Sequence, residues 1–442
     1  MRRLFYGESY RSFSGPLHLA AFSIILLALL PTLVMAQWAQ LNGDIDGEAF
    51  LDQSGWAVAL SDDGDRVAIG APTNDGNGSG SGHVRVYDWN GTSWVQAGAD
   101  IDGEAADDNS GNSIALSSDG LRLAVGAKAN DGNGSFSGHV RVFGWNGSNW
   151  TQVGADIDGE VAGDSSGESV ALSADGSRVA VGAILNDGSA MNAGQVRVFD
   201  WNGSVWVQVG SDIDGEGAND QSGTSVALSA NGNRLAIGAP LNSDNGDFSG
   251  HVRVYDWNGS AWVQLGSDID GEAAGDTSGG SVTLSADGIR LAVGATRNAD
   301  NGDFSGHVRV FEWTGSAWVQ LGADIDGEAP SDQSGSSVAL SNDGARLAVG
   351  ALANDGNGLD SGHVRVFEWD GSTTSWVQVG ADIDGEATGD ASGRSIALSA
   401  DGIRLAVGAN GNDGNGSFSG HVRVFATSID TDPVILRDGF EG

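Results

Sequence analysis

Cysteine is absent, proline occurs only six times and lysine once, at Lys128, in a chain of 442 residues. The first absence excludes disulfide staples and thiol chemistry, so stability has to come from packing and from the way the chain closes. The second, set beside 71 glycines, suits many tight turns between short strands and not a proline-rich disordered tail. The third leaves 21 basic residues against 59 acidic ones and a net charge of −38, which argues against nucleic acid as a partner. Apolar residues at helical spacing are missing from the repeating part of the chain. So is any second apolar run long enough to span a bilayer.

The first 36 residues differ from all the rest. Arg2, Arg3 and Arg11 precede an apolar run from Leu17 to Leu30, and Val34-Met35-Ala36 stands before Gln37. This is the pattern of a secretory signal peptide, with an uncleaved anchor helix as the alternative. The expected organisation is a signal peptide at 1–36, one repetitive domain at 37–426 and a tail at 427–442. Export to the outside or the cell surface follows, with no membrane span after cleavage.

What the chain does have is repetition. The string DIDGE begins at Asp44, Asp100, Asp156, Asp212, Asp268, Asp324 and Asp382, a spacing of 56 residues five times and 58 once. In the second unit, residues 113–117 (SIALS), 122–127 (RLAVGA), 139–145 (HVRVFGW) and 150–154 (WTQVG) alternate apolar and polar side chains at period two. They are separated by Asp119-Gly120 and Asn146-Gly147, pairs that accept the positive φ of tight hairpins. Four such strands, A to D, form an antiparallel meander. Seven meanders repeated at this period indicate an all-β fold, a seven-bladed β-propeller with four antiparallel strands per blade.

The two ends of the domain complement each other. The last unit stops after its strand C at Phe425, and the missing WVQ-like strand is found at the other end, where Trp38-Ala39-Gln40-Leu41 precedes the first DIDGE. The N-terminal strand is therefore expected to complete the last blade and close the ring, since an open array would leave unpaired edges and an uncovered apolar face. Thirteen of the 14 tryptophans flank the C to D hairpin, and arginines recur before strand B and inside strand C, positions that read as packing and architecture.

The pattern SG-x-SVALS, then RLAVGA or RVAIGAP, then SGHVRVF resembles the FG-GAP repeats of integrin α-subunit propellers and their bacterial relatives. Ser54-Gly55 stands where that family has Phe-Gly, and Gly70-Ala71-Pro72 and Gly238-Ala239-Pro240 keep Gly-Ala-Pro literally. The resemblance covers Trp38 to about Phe425 and implies a seven-bladed propeller with calcium loops of the form D-x-D-x-D-G between strands A and B. Here that turn is only Ser-x-Asp-Gly, as at Ser117–Gly120, which has too few oxygens to wrap calcium.

A different calcium arrangement remains open. Strand A begins and strand B ends on one face, so the D to A and B to C loops share it. Each repeat sends there the three acids of DIDGE and a fourth Asp (Asp52, Asp108, Asp164, Asp220, Asp276, Asp332, Asp390), close to half of the 59 acids in seven copies. The cation candidates are Asp100, Asp102 and Glu104 with their copies, and Asp75 and Asn77 of the NDGNG segment. Six histidines open strand C (His83, His139, His251, His307, His363, His421), replaced by Gln195 in the third blade. A hydrogen bond capping the strand is expected of them, because one ion cannot reach equivalent residues on successive blades.

A unique ligand site has to break the sevenfold symmetry. The positions after Ser-Gly do so with Trp56, Asn112, Glu168, Thr224, Gly280, Ser336 and Arg394, and near the end of strand B Lys128 and Arg297 stand out. Trp56, Asn112, Glu168, Thr224, Ser336, Arg394, Lys128 and Arg297 form the candidate ligand-facing ring. No catalytic residue is distinguished from its copies and no cofactor is required beyond a calcium option. The expected function is an extracellular recognition or adhesion module, a monomeric ring that binds a protein or glycan on its acidic loop face. The alternatives are a structural matrix repeat protein and a propeller hydrolase or lyase.

Overall fold

The computed structural model describes residues 37–427. Among them every element is a strand, arranged as seven sheets in a ring. Blade 1 runs from strand A (Ala57–Leu60) through B (Arg66–Ala71) and C (His83–Trp89) to D (Trp94–Gln96). The other blades repeat this order, with the A strands packed against one another around the centre. Among the described residues no helix is long and apolar enough to cross a membrane. The expected signal peptide and all of the tail after Thr427 lie outside the described residues.

The sequence reading missed a fifth strand. The Ile-Asp of each DIDGE, Ile101–Asp102 in blade 1, pairs antiparallel with the start of strand C, Val84 opposite Ile101 and His83 opposite Asp102. The outer edge of strand C is therefore covered twice, by D near its end and by this strand E near its beginning. A two-residue strand is too short for alternation to reveal it, and the surrounding acids look like loop.

The ring closes as expected. Trp38–Gln40 pairs with the last strand C, His421–Thr427, placing Trp38 opposite Thr427 and Gln40 opposite Phe425, while Ile45–Asp46 forms strand E of the same blade. The core is divided into seven hydrophobic clusters, one at each junction between blades. At the closing junction Ile45, Ala406, Val422 and Val424 of blade 7 meet Val58, Val67, Ile69 and Tyr87 of blade 1. Strand B alternates large and small: Leu123 and Val125 pack toward blade 1, while Ala124 packs toward blade 3. That asymmetry lets each blade present bulk on one side and a shallow surface on the other, so neighbours nest.

Two glycines set the blade spacing. A side chain on Gly70 would bring its Cβ to 2.1 Å from the carbonyl oxygen of Gly111 in the next blade, and Gly111 itself has φ +87°. This is the physical content of the Ser-Gly and Gly-Ala motifs: backbone meets backbone where no Cβ fits. The same carbonyl class accepts a hydrogen bond from the first serine of the preceding strand A, as Ser113 Oγ does to Gly167 O (2.8 Å) and Ser395 Oγ to Gly55 O (2.7 Å).

At the opposite face the A to B turns are linked in a circle. The backbone N–H of Asp62 donates to Ser118 O, and the chain of bonds continues through Ala174, Ala230, Ala286, Asn342 and Ala400, whose N–H donates back to Asp62 O, each at 2.8–2.9 Å. If neighbours are spaced like paired strands, at about 4.8 Å, seven close a circle of radius roughly 5.5 Å. Asn342 Nδ2 reaches Asp62 Oδ2 across it (3.1 Å), which narrows this end of the central channel.

The arginines and tryptophans are architectural. Arg66 donates to both carboxylate oxygens of Asp88 (2.6 and 2.8 Å) and to Gly120 O of the next blade (2.8 Å), and its guanidinium lies over Trp145 at 5.2 Å. Trp89 and Trp94 pack at 5.3 Å between centroids. Trp150 Nε1 donates to Ala97 O of the preceding blade, and Trp38, now part of blade 7, repeats that bond to Val379 O of blade 6.

Candidate functional site

The A to B turns hold no cation cage. In blade 2, Asp119 Oδ1 accepts hydrogen bonds from Ser117 Oγ (2.6 Å) and from the Leu121 N–H (2.9 Å), so the lone carboxylate of the turn is used in closing it.

On the other face the acids divide into two groups. Asp52, Asp108 and their copies, expected on the rim, are buried, with 2–4% of their surface exposed. Asp108 Oδ2 accepts the N–H groups of Glu104 and Ala105, pinning the linker, so these carboxylates are staples and not part of the exposed acidic surface. The acids of DIDGE remain nearer the surface, but one DIDGE does not make one site. Asp100 lies with Glu48 and His83, whereas Glu104 crosses to the next seam and lies with His139 and Asp156. Asp102, between them, pairs with His83 in the sheet, and its carbonyl accepts from Arg141 Nη2 (2.7 Å). Burial and the neighbouring Asp100 raise the Asp102 carboxyl above its ordinary value. Asp75 Oδ1 accepts the Gly80 N–H (2.8 Å) and so closes the B to C loop on itself, while Asn77 Nδ2 donates to Gly103 O and Glu104 O and locks that loop onto the following linker.

The histidines correct a second expectation. Their imidazoles are almost fully buried, yet Nε2 of His139, His251, His307, His363 and His421 has no hydrogen-bond partner. In five of the six a glutamate stands 3.8–3.9 Å from Nδ1, as Glu104 does from His139, too far for a hydrogen bond. Burial first and the adjacent arginine second hold these imidazoles neutral, His83 being lowered to about 4.

The symmetry-breaking ring lines the mouth of the central channel, and it is largely paired with itself. Arg394 lies 4.0 Å above the ring of Trp56 in the neighbouring blade. Burial lowers the Arg394 pKa, and the charge of Glu168 opposes that shift. Lys128 Nζ sits 3.1 Å from Glu168 Oε2, and Asn112 Nδ2 donates to the Glu168 carbonyl (3.0 Å). Thr224 and Ser336 donate back to the backbone, to Gln221 O and Gly350 O. Arg297 stands apart from this group: it is exposed on the B to C side of blade 5, over Phe304 at 5.9 Å.

Four aromatic residues that sequence reasoning passed over are exposed on this face. Phe136, Phe248, Phe304 and Phe418 occupy one position in four B to C loops, each 47–57% exposed and each with φ between +55° and +58°. A bulky residue in the left-handed region is strained. The loop backbone enforces it from both sides: the Phe136 N–H donates to Asp131 Oδ1 (2.8 Å), and its carbonyl accepts from the Ser165 N–H of the next linker (3.0 Å). Blade 1 has Gly80 at this position, φ +61°. The signal in the sequence was a phenylalanine inside GSFSG and GDFSG, where turn chemistry favours a small or polar residue.

The model of the FG-GAP repeat family matches residues 44–87 and 324–367, in each case one stretch from DIDGE to the aromatic residue of strand C. This chain is an FG-GAP-repeat β-propeller protein. No curated protein matches it. In this FG-GAP propeller the two glycine motifs of the repeat are the two halves of the blade-to-blade contact, Gly111 O against Gly70 Cα.

Proposed function

We propose that this FG-GAP propeller is a non-enzymatic recognition module of the cell exterior that binds a protein partner on the face carrying the B to C loops. The observation that carries this reading is the set of four phenylalanines held exposed in strained backbone. Strain at an exposed aromatic contributes nothing to folding, and it is retained where the residue meets a partner. The surrounding DIDGE acids, together with Asp131 and Asp413 beneath the aromatics, favour a partner that offers basic side chains around an apolar patch. FG-GAP repeats are typical of extracellular or surface proteins, which agrees with the leader-like start of the chain.

The test compares the purified ring with a variant carrying Phe→Gly at positions 136, 248, 304 and 418, probed against a panel of extracellular proteins and glycans. The variant is expected to fold at least as stably and to lose tenfold or more in affinity for a basic protein partner. Binding unaffected by the four substitutions, or confined to glycans, would sink this reading. Trp56→Ala with Arg394→Ala in the same assay reports whether the channel mouth takes part.

A further inference from the structure

Five of the six buried imidazoles at the blade seams have at least one ring nitrogen without a hydrogen-bond partner, and carboxylates stand near them. In blade 5 one donor atom each from Glu272, Asp300, His307 and Asp324 lies within 4.8 Å of all the others. His307 is completely buried, neither ring nitrogen has a hydrogen-bond partner, and Nδ1 lies 3.8 Å from Glu272 Oε2. An orphaned buried imidazole costs free energy unless something completes it.

We propose that this seam is a binding site for a divalent transition-metal cation of the zinc or manganese kind, held by His307, Glu272, Asp324 and Asp300. Imidazole nitrogen with carboxylate oxygens is a donor set for such ions, while calcium takes oxygen alone. Two donors bound at about 2.1 Å around a tetrahedral ion stand roughly 3.4 Å apart, so groups within 4.8 Å of one another need to close by up to about 1.4 Å. Glu272 and Asp300 are exposed side chains; Asp300 can make that movement directly, Glu272 must turn one oxygen from Arg309 Nη1, 3.7 Å away, and His307 is fixed in the sheet opposite Asp326. A surface cavity of about 390 Å³, lined also by Arg297, Asp303 and Phe304, reaches Asp300.

The other blades supply internal controls. Asp300 corresponds to Gly76 in blade 1, so its seam offers three donors, Glu48, His83 and Asp100, in place of four. Gln195 replaces the histidine in blade 3 without disturbing the pairing of that strand. The ring therefore tolerates Asp300→Gly and His307→Gln, each a residue that a sister blade already carries.

The experiment titrates chelator-treated protein with Zn²⁺ alone and with Ca²⁺ alone, by calorimetry and by thermal shift. Wild type is expected to show one Zn²⁺ site tighter than the rest. Asp300→Gly should weaken it at least tenfold, and His307→Gln should abolish it with no change in the metal-free melting temperature. No Zn²⁺ binding, an unchanged tight site in His307→Gln, or Ca²⁺ binding as tight as Zn²⁺ would each overturn the assignment. Should His307→Gln fold poorly, Asp300→Gly decides by itself, since an unchanged affinity there also overturns it.

Discussion

At the scale of single residues, the seven copies act as a set of natural substitutions, and the exceptions are informative. Two residues after the Ser-Gly glycine, strand A carries a serine whose hydroxyl donates to the glycine carbonyl of the next blade in blades 2 to 7, but blade 1 has Ala57. Ala57→Ser is expected to supply the missing bond to Gly111 O and raise stability by about 1 kcal/mol, read as a higher denaturant midpoint with an unchanged slope. Phe136→Gly should also stabilise, by about 1 kcal/mol, because it releases left-handed strain at a side chain that is mostly in water. A loss of stability there would mean that the phenyl ring packs usefully within its own loop. The exposed phenylalanines escaped sequence reasoning because φ is not written in composition. Only a comparison of position 136 with Gly80 shows that the backbone is left-handed whichever residue stands there.

At the scale of the element, strand C is the organising member of each blade. It pairs with B from His83 to Asp88 on one side and with E and D in succession on the other, which leaves little of its edge free. Strand B faces the neighbouring blade so closely that its glycine admits no side chain. In Gly238→Ala the new Cβ would stand 2.0 Å from Gly279 O, so blades 4 and 5 must part. The expected cost is about 3 kcal/mol or more, seen as a lower melting temperature. Strands A to D were legible from alternation and from the Asp-Gly and Asn-Gly turns. Strand E was not, because its two residues register only through the partner they find on strand C.

For the whole molecule, closure decides stability, and it is made twice: by Trp38–Gln40 on the last strand C, and by the circle of turn hydrogen bonds from Asp62 to Ala400. Deleting residues 37–41 removes one outer strand and uncovers the cluster around Phe425, so the melting temperature of the entire ring is expected to fall in a single transition. A melting temperature equal to that of the intact ring would refute the account. Such a closure could be inferred from the chain alone, since a last unit lacking its D strand and a first segment supplying one have a single economical solution. The repeat, the blade count and the all-β class were determined in the same way, because period-two patterning and a fixed spacing are local properties of the sequence. What the tertiary structure decided was which distant groups meet. It buried the Asp52 class, divided each DIDGE between two seams, paired Arg394 with Trp56 and brought four donors of blade 5 together. Those outcomes depend on which blade abuts which and at what distance, and no local pattern carries that information.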